Sequence, residues 1–563
     1  MELSLDQRIA GVLVPVFAIR GTGDLGIGDA YSVMELVDWA HETGFGLVKI
    51  LPINETGGDH SPYNALSSRA LDPTTIRTTP AVLPDLKHED YLSITAGLDF
   101  EAIDQGPVQY SVVKPLKHRL LDAAFRRFER NHLQRSTPRA AEFMAFQEAE
   151  EDWLPDYTLF RLLFEEHSGE RWDRWPEEHG SPAAARAWLS TLPKRRAQSL
   201  EKRLRYYAYV QWIAFTQWRE AKAHAEKANV ALMGDIPFGV SYHSADVWGQ
   251  PHLFRTGWSG GTPPDRIFKH DAFVQKWGQN WGIPLYDWNA MRAENYRWWR
   301  QRVRGVREFF HVFRIDHVLG FYRIYGFPWR PEENADYLDL TPEQARDRAI
   351  GQSPGFQPRP DDTSEHKALN RDEGEEYLRA VVEEAGAGRV IGEDLGEVPD
   401  YVRPNLTHLG IAGYKIPAWE KQKDGELIPG EDYERLSLAT YGTHDHEPLR
   451  AMWEQYASDG GDGARHELRL LLRYAGMDEN TALGEFTAEI QEALLRALFQ
   501  SNSWIAIAMI TDVFGRTERF NQPGVCGDEN WTQRMHTTVA ALAEEPQTAH
   551  LRELLRESGR SPA

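Results

Sequence analysis

The chain of 563 residues has one cysteine, Cys526, so no internal disulfide can brace it and the fold must rest on a buried core. Long apolar runs are missing too. The most apolar stretches, such as 11–19 and 504–510, fall far short of the ~20 residues a membrane-spanning helix needs. The opening Met1-Glu2-Leu3-Ser4 has neither the basic nor the apolar region of a secretory leader, which makes the cytoplasm the expected location. Positive charge is in short supply: 63 Lys and Arg stand against 85 Asp and Glu, a formal charge of −22 that repels phosphate backbones and anionic lipid. No nucleic-acid or membrane partner is expected. Internal repeats, low-complexity tracts and an obvious linker are absent as well, which favours one elaborated catalytic barrel over 1–563.

What the chain does have is apolar and aromatic substance. Hydrophobic residues make up 41%, enough for a large core, and there are 19 Trp and 21 Tyr. Flat aromatic faces suit the C–H faces of sugar rings, although a large core accounts for them equally well.

Short β-branched apolar runs at 11–17, 46–52, 230–235, 311–316, 388–393, 411–416, 436–442 and 504–510 read as buried parallel strands. Helical patterns separate several of them, at 30–43, 288–309 and 373–385, and strand–helix alternation points to a parallel sheet. Eight such units predict an α/β fold, a (β/α)8 TIM barrel with long, mostly helical insertions over its C-terminal face. The interval 80–228 between the second and third strands reads as a helical insertion, with Leu, Tyr, Trp and Phe at helical spacing over 183–228. Segments 254–287 and 330–372, rich in Pro, Gly, Asp and Trp, read as long loops over the same face.

Acidic residues recur near the ends of four predicted strands: Asp235, Asp316, Glu393 and Asp445. Any one could cap a loop; four at one barrel mouth are harder to explain that way. Like charges crowded together raise at least one carboxyl pKa, which an acid–base pair needs. Arg314 sits two residues before Asp316, so both point to one face and the guanidinium can hold that carboxylate ionised, as a nucleophile requires. Retaining cleavage of a glycosidic bond needs a second carboxyl ~5 Å away as acid. Spacing leaves Glu393 and its neighbour Asp394 both open for that role. Asp445, between His444 and His446, could grip ring hydroxyls; the competing reading is metal ligation by His444, Asp445, His446, Asp316 and His317, without the spacing of a known metal motif.

Gly21-Thr22-Gly23-Asp24-Leu25-Gly26 fits GxGxxG between a strand and a helix, with Glu55 after the next strand, so an NAD-dependent oxidoreductase is a rival reading. Against it, Asp24 would bring negative charge toward a pyrophosphate, and the third strand comes far too late for compact βαβ units.

The ordered motifs Asp24-Leu25-Gly26-Ile27-Gly28-Asp29, Leu51-Pro52-Ile53-Asn54, Ser61-Pro62-Tyr63, Gly234-Asp235-Ile236-Pro237, Ser244-Ala245-Asp246-Val247-Trp248, Pro263-Pro264-Asp265, Gly278-Gln279-Asn280-Trp281-Gly282, Arg314-Ile315-Asp316-His317, Gly392-Glu393-Asp394-Leu395-Gly396 and Thr443-His444-Asp445 run along most of the chain. In these the sequence resembles the amylomaltases, or 4-α-glucanotransferases, of glycoside hydrolase family 77. The resemblance implies a barrel fold and a covalent glycosyl-enzyme intermediate, with Asp316 as nucleophile, Glu393 as acid/base and Asp445 as transition-state stabiliser. It also implies that Tyr63, Asp235, Trp248, Gln279, Trp281, Arg314, His317 and His444 line the sugar subsites, and that Pro263-Pro264-Asp265 belongs to a lid. No cofactor is implied. The implied partners are a maltooligosaccharide or glucan donor and acceptor, with glucose released; a glucan hydrolase and a non-catalytic glucan-binding protein are the alternatives. The stretch 14–20 and the segment 278–283 look closer to the plant cytosolic disproportionating type, though that type's additional modules have no room here. Ile283 stands where short bacterial relatives commonly have Asn. The segments Asn521-Gln522-Pro523-Gly524 and Asn530-Trp531 also resemble the family, yet Asn-x-Pro-Gly reads equally as a turn and is left outside the site.

Overall fold

The computed structural model describes residues 3–265, 271–458, 460–524 and 529–561, so Cys526 lies outside the described residues. Eight short strands form the central sheet: β1 (Ile9–Leu13), β2 (Leu47–Lys49), β3 (Ala231–Ile236), β4 (Val312–Ile315), β5 (Val390–Gly392), β6 (Gly413–Lys415), β7 (Ser437–Ala439) and β8 (Ile505–Met509). Neighbours pair in parallel, β8 pairs with β1 from Ile9↔Ile505 to Leu13↔Met509, and a bridge between Ile391 and Ala412 joins β5 to the start of β6. The ring is thereby closed. Alternation drives it: Ile9 and Leu13 join Leu47, Met233, Ile391 and Ile507 inside the barrel, while Ala10 and Val12 face the surrounding helices. The first strand stops at Leu13, short of the expected 17, because Pro15 has no N–H to give a ladder and Val16–Ala18 turn into a 3-10 helix.

Between β2 and β3 stand seven α-helices, ending in the 34-residue Lys194–Lys227. That helix grips the loop beyond β2 with two glutamines. Gln211 accepts from Leu71 N at 2.8 Å and donates to Leu71 O at 2.9 Å; Gln217 does the same to Arg77 at 2.8 and 3.0 Å. Each amide replaces a strand partner for buried backbone that would otherwise lose its hydrogen bonds. The expected 288–309 helix is broken into Trp288–Ala293 and Arg297–Arg307, where Asn295 and Tyr296 both take φ 54°.

Segments 254–287 and 330–372 are not the simple loops the composition suggested. Phe254–Thr262, Gln279–Tyr286, Ile324–Phe327 and Gly355–Gln357 make a four-stranded antiparallel sheet over the barrel mouth. Glycines disguised it, and Gly261 is there for close backbone approach: a Cβ at this position would lie 1.8 Å from the carbonyl oxygen of Gln279.

At the opposite end of the barrel, Arg560 is 1% exposed and donates to five carbonyl oxygens, those of Ile9, Phe499, Ser501, Ser503 and Trp504. It ties the starts of β1 and β8 together.

The GxGxxG segment has no vacancy for a phosphate. Asp24 accepts from Gly21 N at 2.8 Å and Gly26 N at 2.9 Å and pairs with buried Arg534 at 2.5 Å. Asp29 caps the helix Ala30–Thr43 through Tyr31 N and Ser32 N. The amides that would cradle a pyrophosphate are already spent on carboxylates of the chain.

Candidate active site

Arg314, on β4, is fully buried at the centre of the mouth. Its Nη1 donates to both oxygens of Asp235, each at 2.7 Å, and its Nη2 to Asp316 Oδ1 at 2.8 Å and Glu393 Oε1 at 2.6 Å. Tyr63 donates to Asp235 Oδ2 at 3.0 Å. Two oxygens held by one nitrogen at 2.8 and 2.6 Å lie within the ~5.5 Å separation typical of retaining glycosidases. The barrel closure accounts for this grouping: β3, β4 and β5 are adjacent, so their C-terminal ends deliver Asp235, Asp316 and Glu393 side by side.

Glu393 and Asp394 part company here. Glu393 reaches the cluster, and its Oε2 accepts from His317 N at 2.9 Å; His317 takes φ 43°, a strained left-handed conformation that aims this amide. Asp394 is 1% exposed and turned away, accepting from Tyr414 N at 2.6 Å and Arg403 Nε at 2.9 Å.

Arg314 bonds Asp316 as expected, but it does not serve Asp316 alone. Burial pushes the Asp316 carboxyl well above the usual range, and Arg314 does not offset this with Glu393, Asp235 and Asp445 close by. Burial pushes Glu393 up as well, but there Arg314 and the His317 amide prevail and hold it at about 2. The guanidinium is divided among three carboxylates, and Glu393 has the additional donor. The two carboxyls share Arg314 and titrate as a coupled pair.

Asp445, after β7, lies 3.2 Å from His444 Nε2, and its Oδ1 accepts from Asn521 Nδ2 at 2.5 Å. His444 stacks on Tyr63, with ring centroids 5.0 Å apart and planes 9° apart, and burial lowers its pKa, so the imidazole is neutral. On the other side of the mouth Trp281, 37% exposed, stands edge-on to His317 at 4.9 Å and donates to Gln279 Oε1 at 3.1 Å. Burial lowers the His317 pKa to about 4.

Of the expected sugar-facing residues, Tyr63, Asp235, Gln279, Trp281, Arg314, His317 and His444 gather at this mouth, and Trp248 does not. It is 1% exposed, donates to His179 O at 2.9 Å and packs against Phe160 and Trp175. With both faces covered it offers no platform to a sugar, and its place is in the core.

Asn521 was set aside as a turn residue, and the structure brings it to Asp445. Asn530 supports it, donating to Asn521 Oδ1 at 2.8 Å, and Arg519 donates to Asp445 O at 2.5 Å and Asn521 O at 2.7 Å. The signal was present in two asparagines nine residues apart, but a turn motif explains one of them without any partner. Asn521→Ala removes a hydrogen bond to a charged group, worth ~1.5–3 kcal/mol, and is expected to lower kcat about tenfold or more with little change in Tm. Loss of stability with unchanged kcat would reduce Asn521 to a loop residue.

A family profile described as 4-alpha-glucanotransferase, glycoside hydrolase family 77, matches residues 14–540. A 4-alpha-glucanotransferase of Chlamydia pneumoniae is 28% identical over 559 residues, covering 95% of this chain and 92% of the relative. The 4-alpha-glucanotransferase DPE2 of Oryza sativa subsp. japonica is 26% identical over 98% of this chain, which spans 70% of that protein. In three dimensions, amylomaltase from Streptococcus agalactiae, solved in complex with acarbose, superposes with a TM-score of 0.77 at 24% identity, over 99% of this chain and 100% of that one, which establishes the shared fold. The chain belongs to the 4-alpha-glucanotransferase family, glycoside hydrolase family 77.

Proposed function

We propose that the protein transfers α-1,4-glucan segments between maltooligosaccharides by a retaining double displacement. The observation that carries this reading is the pair of carboxylates on one guanidinium nitrogen, Asp316 and Glu393, within the separation that retention requires. In this reading Asp316 attacks the anomeric carbon, Glu393 protonates the leaving oxygen, and the chain's non-reducing portion remains on Asp316 as a glycosyl ester. The shared proton must therefore lie on Glu393 when the donor is bound. A glycosidic oxygen beside Glu393 and a developing positive charge beside Asp316 favour that arrangement. A second glucan's 4-hydroxyl then loses its proton to Glu393 and displaces Asp316, so all atoms are accounted for and no cofactor takes part. Asp445, aligned by Asn521 and His444, is suited to gripping ring hydroxyls of the sugar between the carboxylates, and Tyr63 with His444 forms a wall for that sugar. The segment Pro263-Pro264-Asp265 lines the cleft and is placed to exclude water, which favours a sugar hydroxyl over hydrolysis.

Maltotriose separates the alternatives. Transfer releases glucose together with maltopentaose and longer chains; a hydrolase gives glucose and maltose with nothing longer than the substrate, and a binding protein leaves maltotriose intact. Either of the last two outcomes would overturn the reading.

A further inference from the structure

The helical insertion holds a cavity of about 610 Å3 bordered by the helices Tyr110–Asn131, Leu154–Glu166 and Lys194–Lys227. None of its wall residues belongs to the carboxylate cluster or to the cleft at the barrel mouth. Each helix brings arginine to it: Arg119 and Arg126 from the first, Arg161 from the second and Arg203 from the third. The carboxylates in the wall, Asp122 and Glu165, are already engaged. Asp122 pairs with Arg126 at 2.9 Å, and Glu165 accepts from Arg203 Nε at 2.7 Å and from the Tyr207 hydroxyl. Arg119 has no carboxylate within 4.0 Å among the described residues, and its Nη2 reaches only Ile94 O at 3.5 Å. In a chain of formal charge −22 this wall is a local surplus of positive charge.

Arg161 differs from the other three in being only 8% exposed. Its Nε donates to Glu55 Oε1 at 3.0 Å, and its guanidinium carbon lies 5.1 Å from the Tyr207 ring centroid and 5.3 Å from that of Phe164. Glu55 takes a second hydrogen bond from the Tyr157 hydroxyl on its other oxygen, so it does not call on the rest of the guanidinium. Neither Nη1 nor Nη2 of Arg161 has an acceptor among the described residues, and neither is sealed away from solvent. A buried arginine with a purely structural role spends its donors within the protein. This one is held rigidly from behind and keeps its outer edge free, which suits a bidentate oxyanion. We propose that the cavity binds a small phosphate monoester, with the phosphate on the free edge of Arg161 beside Arg119 and the organic body in the remaining volume. Two arginines without a carboxylate partner in the wall suit a dianion, and a phosphate monoester carries ~−1.5 to −2 at pH 7. The volume is that of a site for a whole small molecule and far exceeds the needs of a bare phosphate ion. The site lies apart from the glucan chemistry, so its failure would leave the transferase reading intact.

The test is isothermal titration calorimetry of the full chain at low ionic strength. Glucose 6-phosphate, AMP and inorganic phosphate are the probes, with glucose and adenosine as uncharged counterparts. At least one ester is expected to bind one-to-one with a Kd below about 1 mM, and about tenfold or more tighter than both its uncharged counterpart and inorganic phosphate. Which ester binds tells a sugar body from a nucleoside body. Arg119→Gln changes an exposed residue with one long contact, and Arg161→Lys keeps a cation beside Glu55 while removing the fork. Each is expected to weaken binding of that ester about tenfold. Should Arg161→Lys melt well below wild type, Arg119→Gln alone decides. No binding of either ester, binding of inorganic phosphate or the uncharged counterpart as tight as that of the ester, or variant affinities within twofold of wild type would each overturn the proposal.

Discussion

Asp316→Asn is expected to lower the rate of maltotriose disproportionation by ~10^4-fold or more, the scale seen when a covalent nucleophile is removed from a site whose parts act as a unit. Asparagine has the same shape and its amide oxygen can still accept from Arg314 Nη2, so the cluster around that nitrogen stays assembled. What is lost is a group able to carry the negative charge that attacks and later leaves. The readout is product formation beside a thermal melt: Tm within a few degrees of wild type with turnover gone places the loss in the chemistry. Turnover within tenfold of wild type would remove Asp316 from the nucleophile's role.

Arg314→Met is expected to cost ~3–5 kcal/mol of stability at neutral pH, in addition to activity, since it strips a buried cation from three carboxylates. Nearby lies Lys49, fully buried, whose Nζ donates to Tyr414 OH at 2.8 Å. Burial, helped by Arg314, lowers its pKa to about 8, so removing Arg314 lets it hold its proton more firmly. One ammonium still cannot balance the cluster. The sign of the pH dependence follows. Without Arg314 the site's carboxyls bind protons more tightly folded than unfolded, so the folded state carries the extra protons and stability falls as pH rises. The variant's deficit is therefore expected to shrink as pH is lowered from 7 toward the unfolded carboxyl range of ~4. In the wild-type protein Glu393 works the other way: with its pKa held at about 2, it stabilises the fold above the unfolded value, and that contribution is lost as pH falls toward 2. Parallel denaturation curves of variant and wild type at pH 5 and 8 decide it; a deficit that grows on acidification would show that the carboxylates are not what Arg314 neutralises.

All eight barrel strands were legible because a strand buried on both faces must be apolar throughout, and short runs such as 504–510 have no other economical reading. The antiparallel sheet was not, since Phe254–Thr262 contains three glycines, one of them, Gly261, required by close backbone approach, and shows no alternation to follow. The acids were visible as residues at strand ends, yet spacing could not separate Glu393 from Asp394; that took the resemblance, and the barrel geometry then placed Glu393 beside Arg314 and Asp394 under Arg403. Trp248 was misread in the opposite sense. An aromatic side chain inside a motif shared with sugar enzymes looks like a platform, but its neighbours in space, Phe160 and Trp175, come from a helix and a bend far upstream in the helical insertion. The sharing of Arg314 among Asp235, Asp316 and Glu393 was the least legible feature, because a guanidinium's allegiance depends on how many carboxylates it serves and at what distance.

The β1–β8 seam, sealed by Arg560, has a consequence for how the protein is made. Residues 9–13 leave the ribosome long before their partners at 505–509, and the arginine that draws the two strands together comes later still. Until then β1 has one free edge and the apolar interior of the barrel is open to water, so the nascent chain depends on its early helices and the β2–β3 region to stay compact. Synthesis paused before the helix Pro546–Glu557 is expected to leave a chain with most of its secondary structure, an unclosed ring and Asp316, Glu393 and Asp445 already present but not yet held in register.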